Sequence, residues 1–120
     1  MRYSLIAAAR GVVLVIALAL ALPTTSGAMT VADFQGICER VEGSCENSPL
    51  LNAYIGGSLD MIATLDERTD FLGEVYCRPT KELFDVAAII RYAQRAARAA
   101  EPKANAMTLV VAYLVEEGGC

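Results

Sequence analysis

The residues best equipped for chemistry in this chain are four cysteines, Cys38, Cys45, Cys77 and Cys120, at spacings of 7, 32 and 43. Thiolates could hold zinc, exchange electrons or close disulfides. Zinc would need all four, because the sequence contains no histidine, and no pair forms the C-x-x-C knuckle of structural zinc sites. The missing C-x-x-C equally removes a thioredoxin-type redox centre. Asp60, Asp66 and Glu67 offer carboxylates, but no histidine or activated nucleophile accompanies them. The residues therefore describe no catalytic site, no metal site and no cofactor site, and the chain is not expected to be an enzyme. What remains for the cysteines is two structural disulfides, the ordinary use of an even cysteine count in a small exported domain.

Export itself is expected from residues 1–28. Arg2 and Arg10 flank a short start, Gly11 to Leu22 is an unbroken apolar run, and Pro23 breaks any helix there. Ser26-Gly27-Ala28 supplies small residues for cleavage after Ala28, the pattern of a signal peptide. A membrane anchor is the competing meaning. The run falls short of the ~20 residues that cross a bilayer, and lengthening it backwards buries Arg10. The expected mature chain, residues 29–120, has eight basic against fourteen acidic residues, a net charge of −6. Such a domain repels phosphates, so no nucleic-acid partner is expected, and no stable membrane anchor remains after cleavage.

The mature part is expected to be one all-α domain of four helices. Thr30 caps the first, Asp33 completes a capping box, and Val31, Phe34, Ile37 and Val41 form its apolar stripe. It fades at Glu42-Gly43. Ser48 caps the second helix with Pro49 in its first turn, and Leu50, Tyr54, Met61, Ile62 and Leu65 are its expected buried face. Gly56-Gly57 in its middle is read as a close approach of another backbone. Asp66 to Glu74 is a polar connection carrying four acids, Arg68, and the apolar pair Phe71-Leu72. The ordinary expectation is that Phe71 and Leu72 tuck into the core. The sharper one makes Arg68, Asp70, Phe71 and Leu72 a partner contact on a protruding loop.

The third helix is expected to start at Thr80 as N-cap and to run about 18 residues on the stripe Leu83, Val86, Ile90, Ala93 and Ala97. Arg91, Arg95 and Arg98 lie on another face, the ordinary place for cations late in a helix. Pro102 is expected to start the fourth helix, with Ala106, Leu109, Val110, Tyr113 and Leu114 facing inward and Gly118-Gly119 ending it. An antiparallel hairpin of these two helices brings Cys120 back to Cys77. Their bond would close a 43-residue loop, worth roughly 4 kcal/mol on the loop-entropy argument. Cys38 then pairs with Cys45, although bonds from Cys45 to Cys77 or Cys120 stay open at this stage.

Cys45, then Tyr54-Ile55-Gly56-Gly57-Ser58-Leu59-Asp60, then Tyr76-Cys77-Arg78-Pro79, then Cys120 is a pattern that resembles the Rap/Tai-type immunity proteins accompanying type VI secretion amidase effectors. The resemblance covers the chain from about Cys38 onward. It rests on Tyr54, Gly57, Asp60, Tyr76 and Pro79 besides the cysteines, which it implies to be structural. Relatives usually carry a proline before the last cysteine, where this chain has Gly118-Gly119. The resemblance implies a small periplasmic helical inhibitor, with a homodimer as one form, that occludes a cognate amidase cleaving peptidoglycan peptides. The alternative is a small disulfide-stapled periplasmic stress or chaperone-like protein with no effector, opening at low pH as its carboxylates neutralise.

Overall fold

The computed structural model describes residues 27–119. The expected signal segment, apart from Gly27 and Ala28, lies outside them, as does Cys120. Five α-helices build the described part: α1 (Val31–Arg40), α2 (Pro49–Arg68), α3 (Thr80–Leu83), α4 (Val86–Ala96) and α5 (Met107–Gly118). Short 3-10 turns occupy Cys45–Asn47, Phe71–Glu74 and Ala97–Ala99. No strand is present among the described residues; the one β-type contact is an isolated bridge between Thr30 and Asn105.

Local chemistry sets the starts of α1 and α2 as expected. The Thr30 hydroxyl accepts from the Asp33 N–H at 3.1 Å, and the Asp33 carboxylate accepts from the Thr30 N–H at 2.9 Å. The N–H groups of Val31 and Ala32, which no helical carbonyl can reach, donate to the carbonyls of Ala104 and Pro102 at 2.9 and 3.0 Å. A return bond from Ala106 N–H to the Met29 carbonyl, 2.8 Å, completes the seam. In α2, Ser48 Oγ accepts from Leu51 N–H at 3.2 Å and Pro49 takes the first turn. The disulfide Cys38–Cys45 ties the end of α1 to the 3-10 turn before α2, with Cα atoms 4.7 Å apart.

Three expectations about the helices are corrected. The long third helix is two: the chain leaves helical geometry at Phe84 and Asp85, and Asp85 starts α4 by accepting the Ala88 N–H at 3.1 Å. A side-chain cap set between Leu83 and Val86 of an apolar stripe has outcompeted continuation of the helix. Thr80 is then the first helical residue rather than a cap, preceded by Pro79, whose carbonyl accepts from Glu82 and Leu83. Pro102 does not start the last helix, because its carbonyl and that of Ala104 are spent on α1. The start moves to Met107, whose N–H is received by Asn105 Oδ1 at 2.9 Å.

Helix α4 is the middle of the domain, packed on one side by α2 and on another by α5. Ile89 and Ile90 are both fully buried. Successive residues point about 100° apart on a helix, so only cover from two sides hides both. Each contributes about 1.5–3 kcal/mol of apolar burial. Around them lie Val31, Phe34, Leu51, Ile55, Leu83, Val110 and Leu114, and the last helix buries Ala106, Leu109, Val110, Tyr113 and Leu114 as expected.

Glycines separate packing need from openness. A Cβ on Gly118 would lie 2.7 Å from Leu83 Cδ2 and 2.8 Å from Tyr76 Cβ, whereas one on Gly56 or Gly57 would meet nothing within 4 Å. The pair in α2 is therefore no site of close backbone approach, which corrects that expectation. Gly118→Ala should destabilise the fold by about 1–3 kcal/mol through overpacking. Gly57→Ala should stabilise it by about 0.5–1 kcal/mol, since alanine restricts the unfolded chain and favours helix. Urea denaturation of both variants checks the opposite signs.

Candidate functional site

The buried side of α2 is not the expected one. Leu51, Ile55, Ser58 and Leu59 face the core, while Leu50 is 57 %, Met61 61 % and Leu65 40 % exposed. Tyr54 and Ile62, on the border between the two sides, are partly buried. The helix carries apolar residues on more of its surface than α4 can cover, and the neighbouring stripe is the one that packs. A row of large apolar side chains is left facing outward.

The 3-10 turn Phe71–Glu74 extends this surface, for it packs against the end of α2. Here the pair Phe71-Leu72 divides. Leu72 enters the core cluster, and Phe71 stands 59 % exposed. The expectation that both tuck inward is thus corrected for Phe71. Leu72 acts as the pin that holds the turn down, while Phe71 is presented. On α2 the exposed Asp60 and Glu67 lie to one side of the row and Arg68 lies in line with it, while Asp66 falls on the side of Ile55 and Leu59, against Tyr76.

The motif residues fall in two places. Tyr54, Gly57 and Asp60 lie on α2; Gly57 and Asp60 are exposed, and no described group bonds the Asp60 carboxylate. Tyr76 and Pro79 instead belong to the link into α3. Tyr76 is buried and meets Phe84 edge-on, ring centres 5.8 Å apart. Next to it the N–H groups of Cys77 and Arg78 donate to the Gly118 carbonyl at 2.8 and 3.3 Å, and Arg78 Nη1 donates to the Glu117 carbonyl at 3.0 Å. The Cys77–Cys120 pairing falls on Cys120 and so lies outside the described residues; no described cysteine carries a free thiol.

The arginines of α4 and the turn after it, Arg91, Arg95 and Arg98, are all exposed. Arg91 pairs with Glu46 at 2.9 Å. Arg98 lines a groove of about 290 Å³ between α1 and α4 with Glu39, Gln94 and Phe34. Arg95 lines another beside Tyr92, Glu116 and Glu117. Glu116 and Glu117 at the end of α5 thus share a groove with Arg95, a proximity set by the register of the α4–α5 hairpin.

No group of three or more metal-ligating side chains occurs among the described residues, and none of their helices is long and apolar enough to cross a membrane. No protein-family model, curated protein or solved structure matches the chain.

Charge and burial shape the titration of the domain. Burial is the first cause that raises the phenols of Tyr54, Tyr76, Tyr92 and Tyr113; the Asp66 carboxylate adds to it at Tyr76, and Glu116 at Tyr92. A folded-state pKa above the unfolded value near 10 means that the unfolded chain loses its protons first. Stability is therefore full below about pH 10 and declines as pH rises through the folded values. Denaturation midpoints should fall from pH 9 to 11, and ultraviolet absorbance should show phenolate forming at higher pH in the folded than in the denatured protein. At the acid end Asp33, lowered by the hydrogen bonds from Thr30, contributes stability that is lost as pH falls through its depressed value.

Proposed function

We propose that this chain is an exported binding protein that neutralises a partner by covering it, in the manner the immunity-type resemblance implies. Residues 1–28 direct export and are removed, and the domain from Met29 onward works in the periplasm, held by disulfides that an oxidising compartment preserves. The partner in this reading is a cognate amidase acting on peptidoglycan peptides, and no bond is made or broken by the chain itself. One observation carries it: Phe71 is held outward on a turn that packs against α2 and is pinned by Leu72, and α2 itself exposes Met61 and Leu65. Exposed aromatic and aliphatic side chains grouped on one surface are costly to leave in water and mark interaction sites. The last residues of α2 from Asp66 and the turn Phe71–Glu74, expected from the sequence as one loop, are the part that meets the partner, rather than any cluster of catalytic groups.

The reading also pairs Cys77 with Cys120. Support comes from the backbone bond of Cys77 to Gly118, two residues before Cys120. That staple would lock the link after the loop to the end of α5 and hold Phe71 in a fixed place. Non-reducing peptide mapping of the exported protein should show Cys38–Cys45 and Cys77–Cys120 and no other pairing.

The functional test first asks whether an exported cysteine-type amidase is encoded beside this chain, and then assays that enzyme. The two should co-purify, and the chain should stop peptidoglycan cleavage at stoichiometric concentration. Phe71→Ser should weaken the complex by about 2 kcal/mol, the scale of an interface hot spot, with unchanged circular dichroism. Absence of binding at micromolar concentration would remove the proposal.

A further inference from the structure

We propose that Tyr76 and Asp66 are positioning residues that form a latch: the Tyr76 hydroxyl donates to the Asp66 carboxylate, and this bond closes the base of the segment that presents Phe71. The inference rests on the binding reading above only in what Phe71 is presented for. It starts from an orphaned polar atom. Tyr76 is 5 % exposed, and its hydroxyl is shielded from water with no hydrogen-bond partner in place among the described residues. Buried hydroxyls are nearly always bonded, because an unmet one forfeits its bonds to water and gains nothing in return. The ring meets Phe84 edge-on, a contact that phenylalanine would make equally well. The hydroxyl needs another reason to be there.

Asp66 supplies it. At 100° per residue Asp66 stands within about 40° of Ile55, Leu59 and Ile62, on the inward side of α2. Burial first, and then the charge and hydrogen-bonding reach of the Asp66 carboxylate, raise the Tyr76 phenol. The carboxylate is therefore a near neighbour that has not swung into line. Asp66 is exposed, so its side chain can turn between staggered positions without disturbing the core. Neither ion pair among the described residues holds it elsewhere. Its place is unfavourable taken alone, for a carboxylate in the last turn of α2 faces the negative end of the helix dipole. Two features that are unfavourable singly account for each other as a charge-assisted pair.

The segment between them has few other ties that set a direction. The N–H of Gly73 donates to the Asp70 carbonyl, and those of Val75 and Tyr76 donate to the Leu72 carbonyl, at 3.4, 2.9 and 3.2 Å. Thr69 Oγ1 donates to the Leu65 carbonyl at 2.7 Å. These bonds shape the turn and close it on itself without reaching α4 or α5. Leu72 in the core and Val75 at its edge are the apolar pins. Apolar contact resists withdrawal but is non-directional. A hydrogen bond between the two flanks of the turn fixes which way Phe71 points.

The test is a double-mutant cycle on the oxidised, exported protein, read by urea denaturation. Tyr76→Phe should lower the folding equilibrium constant at least fivefold in the wild-type chain and less than twofold in an Asp66→Ala background. An orphaned hydroxyl predicts the opposite sign, since its removal would leave the fold as stable or more so; that result, or equal losses in both backgrounds, overturns the proposal. Asp66→Asn should lower the pKa of one phenol, the one absent from Tyr76→Phe, in tyrosine Cζ NMR titrations, and an unmoved phenol overturns it too. Amide exchange at Gly73, Val75 and Tyr76 should accelerate at least fivefold in Tyr76→Phe relative to Ile89 in α4; an unchanged ratio overturns the positioning role. Because Tyr76 is buried, its effect on the amidase complex passes through the turn, and Tyr76→Phe should weaken that complex at least threefold. If the amidase binds and Tyr76→Phe leaves the complex intact, this inference fails and the neutralising function stands. If the cycle and the exchange come out as stated and no amidase binds, the function fails and the latch stands.

Discussion

The end of α5 is where the described structure closes on itself. A helix leaves its last carbonyls without partners, and here they are met from outside the helix. The N–H groups of Cys77 and Arg78 converge on the Gly118 carbonyl, and the Arg78 guanidinium reaches the Glu117 carbonyl. This requires the link into α3 to run directly over Gly118. It does so only because Gly118 has no side chain, since Tyr76 and Leu83 occupy the space where one would be. Two helices distant in sequence are thereby joined by backbone chemistry that depends little on surface charge. The Arg78–Glu82 ion pair beside it, 3.5 Å and about half exposed on both sides, adds little by comparison, for exposed pairs contribute about 0–1 kcal/mol.

A second seam does for the beginning of the fold what this one does for its end. The carbonyls of Pro102 and Ala104 receive the first N–H groups of α1, and Met29 returns the exchange with Ala106. The loop between α4 and α5 is thus defined by its duty to α1, and α5 cannot begin until that duty is discharged. Both seams use backbone groups that would otherwise remain unsatisfied at helix ends. They leave the middle of the domain to apolar packing on α4, and they leave α2 free on its outer side.

Signals that act within one turn were legible in the sequence. Thr30 with Asp33, and Ser48 with Pro49, place two helix starts because each cap is made by residues three apart. The inward stripe of α5 was legible too, in the spacing of Ala106, Leu109, Val110, Tyr113 and Leu114, although Val111 and Val115 on its outer side are also apolar. The phase of α2 was not. Leu50, Leu51, Tyr54, Ile55, Leu59, Met61, Ile62 and Leu65 support two overlapping stripes, and periodicity alone does not choose between them. Contact with α4 chooses Leu51, Ile55 and Leu59. The break at Phe84-Asp85 was hidden for a related reason: Leu83, Val86 and Ile90 keep helical spacing straight through it, while the cap that interrupts them is a single aspartate. The division of Phe71 from Leu72 had no sequence signal at all, because adjacent residues of like polarity differ only by where the turn points them.

The misread phase of α2 and the candidate surface have one cause. A helix with apolar residues on two adjoining sides can hide only what its neighbours cover, and α2 has one large neighbour. The uncovered side is not needed for the seams at Gly118 and Met29, nor for the packing around Ile89 and Ile90. It could be polar at no cost to the core, and it is instead lined by leucine, methionine and an outward phenylalanine. Apolar surface that the fold does not use is the arrangement expected where a partner supplies the missing cover.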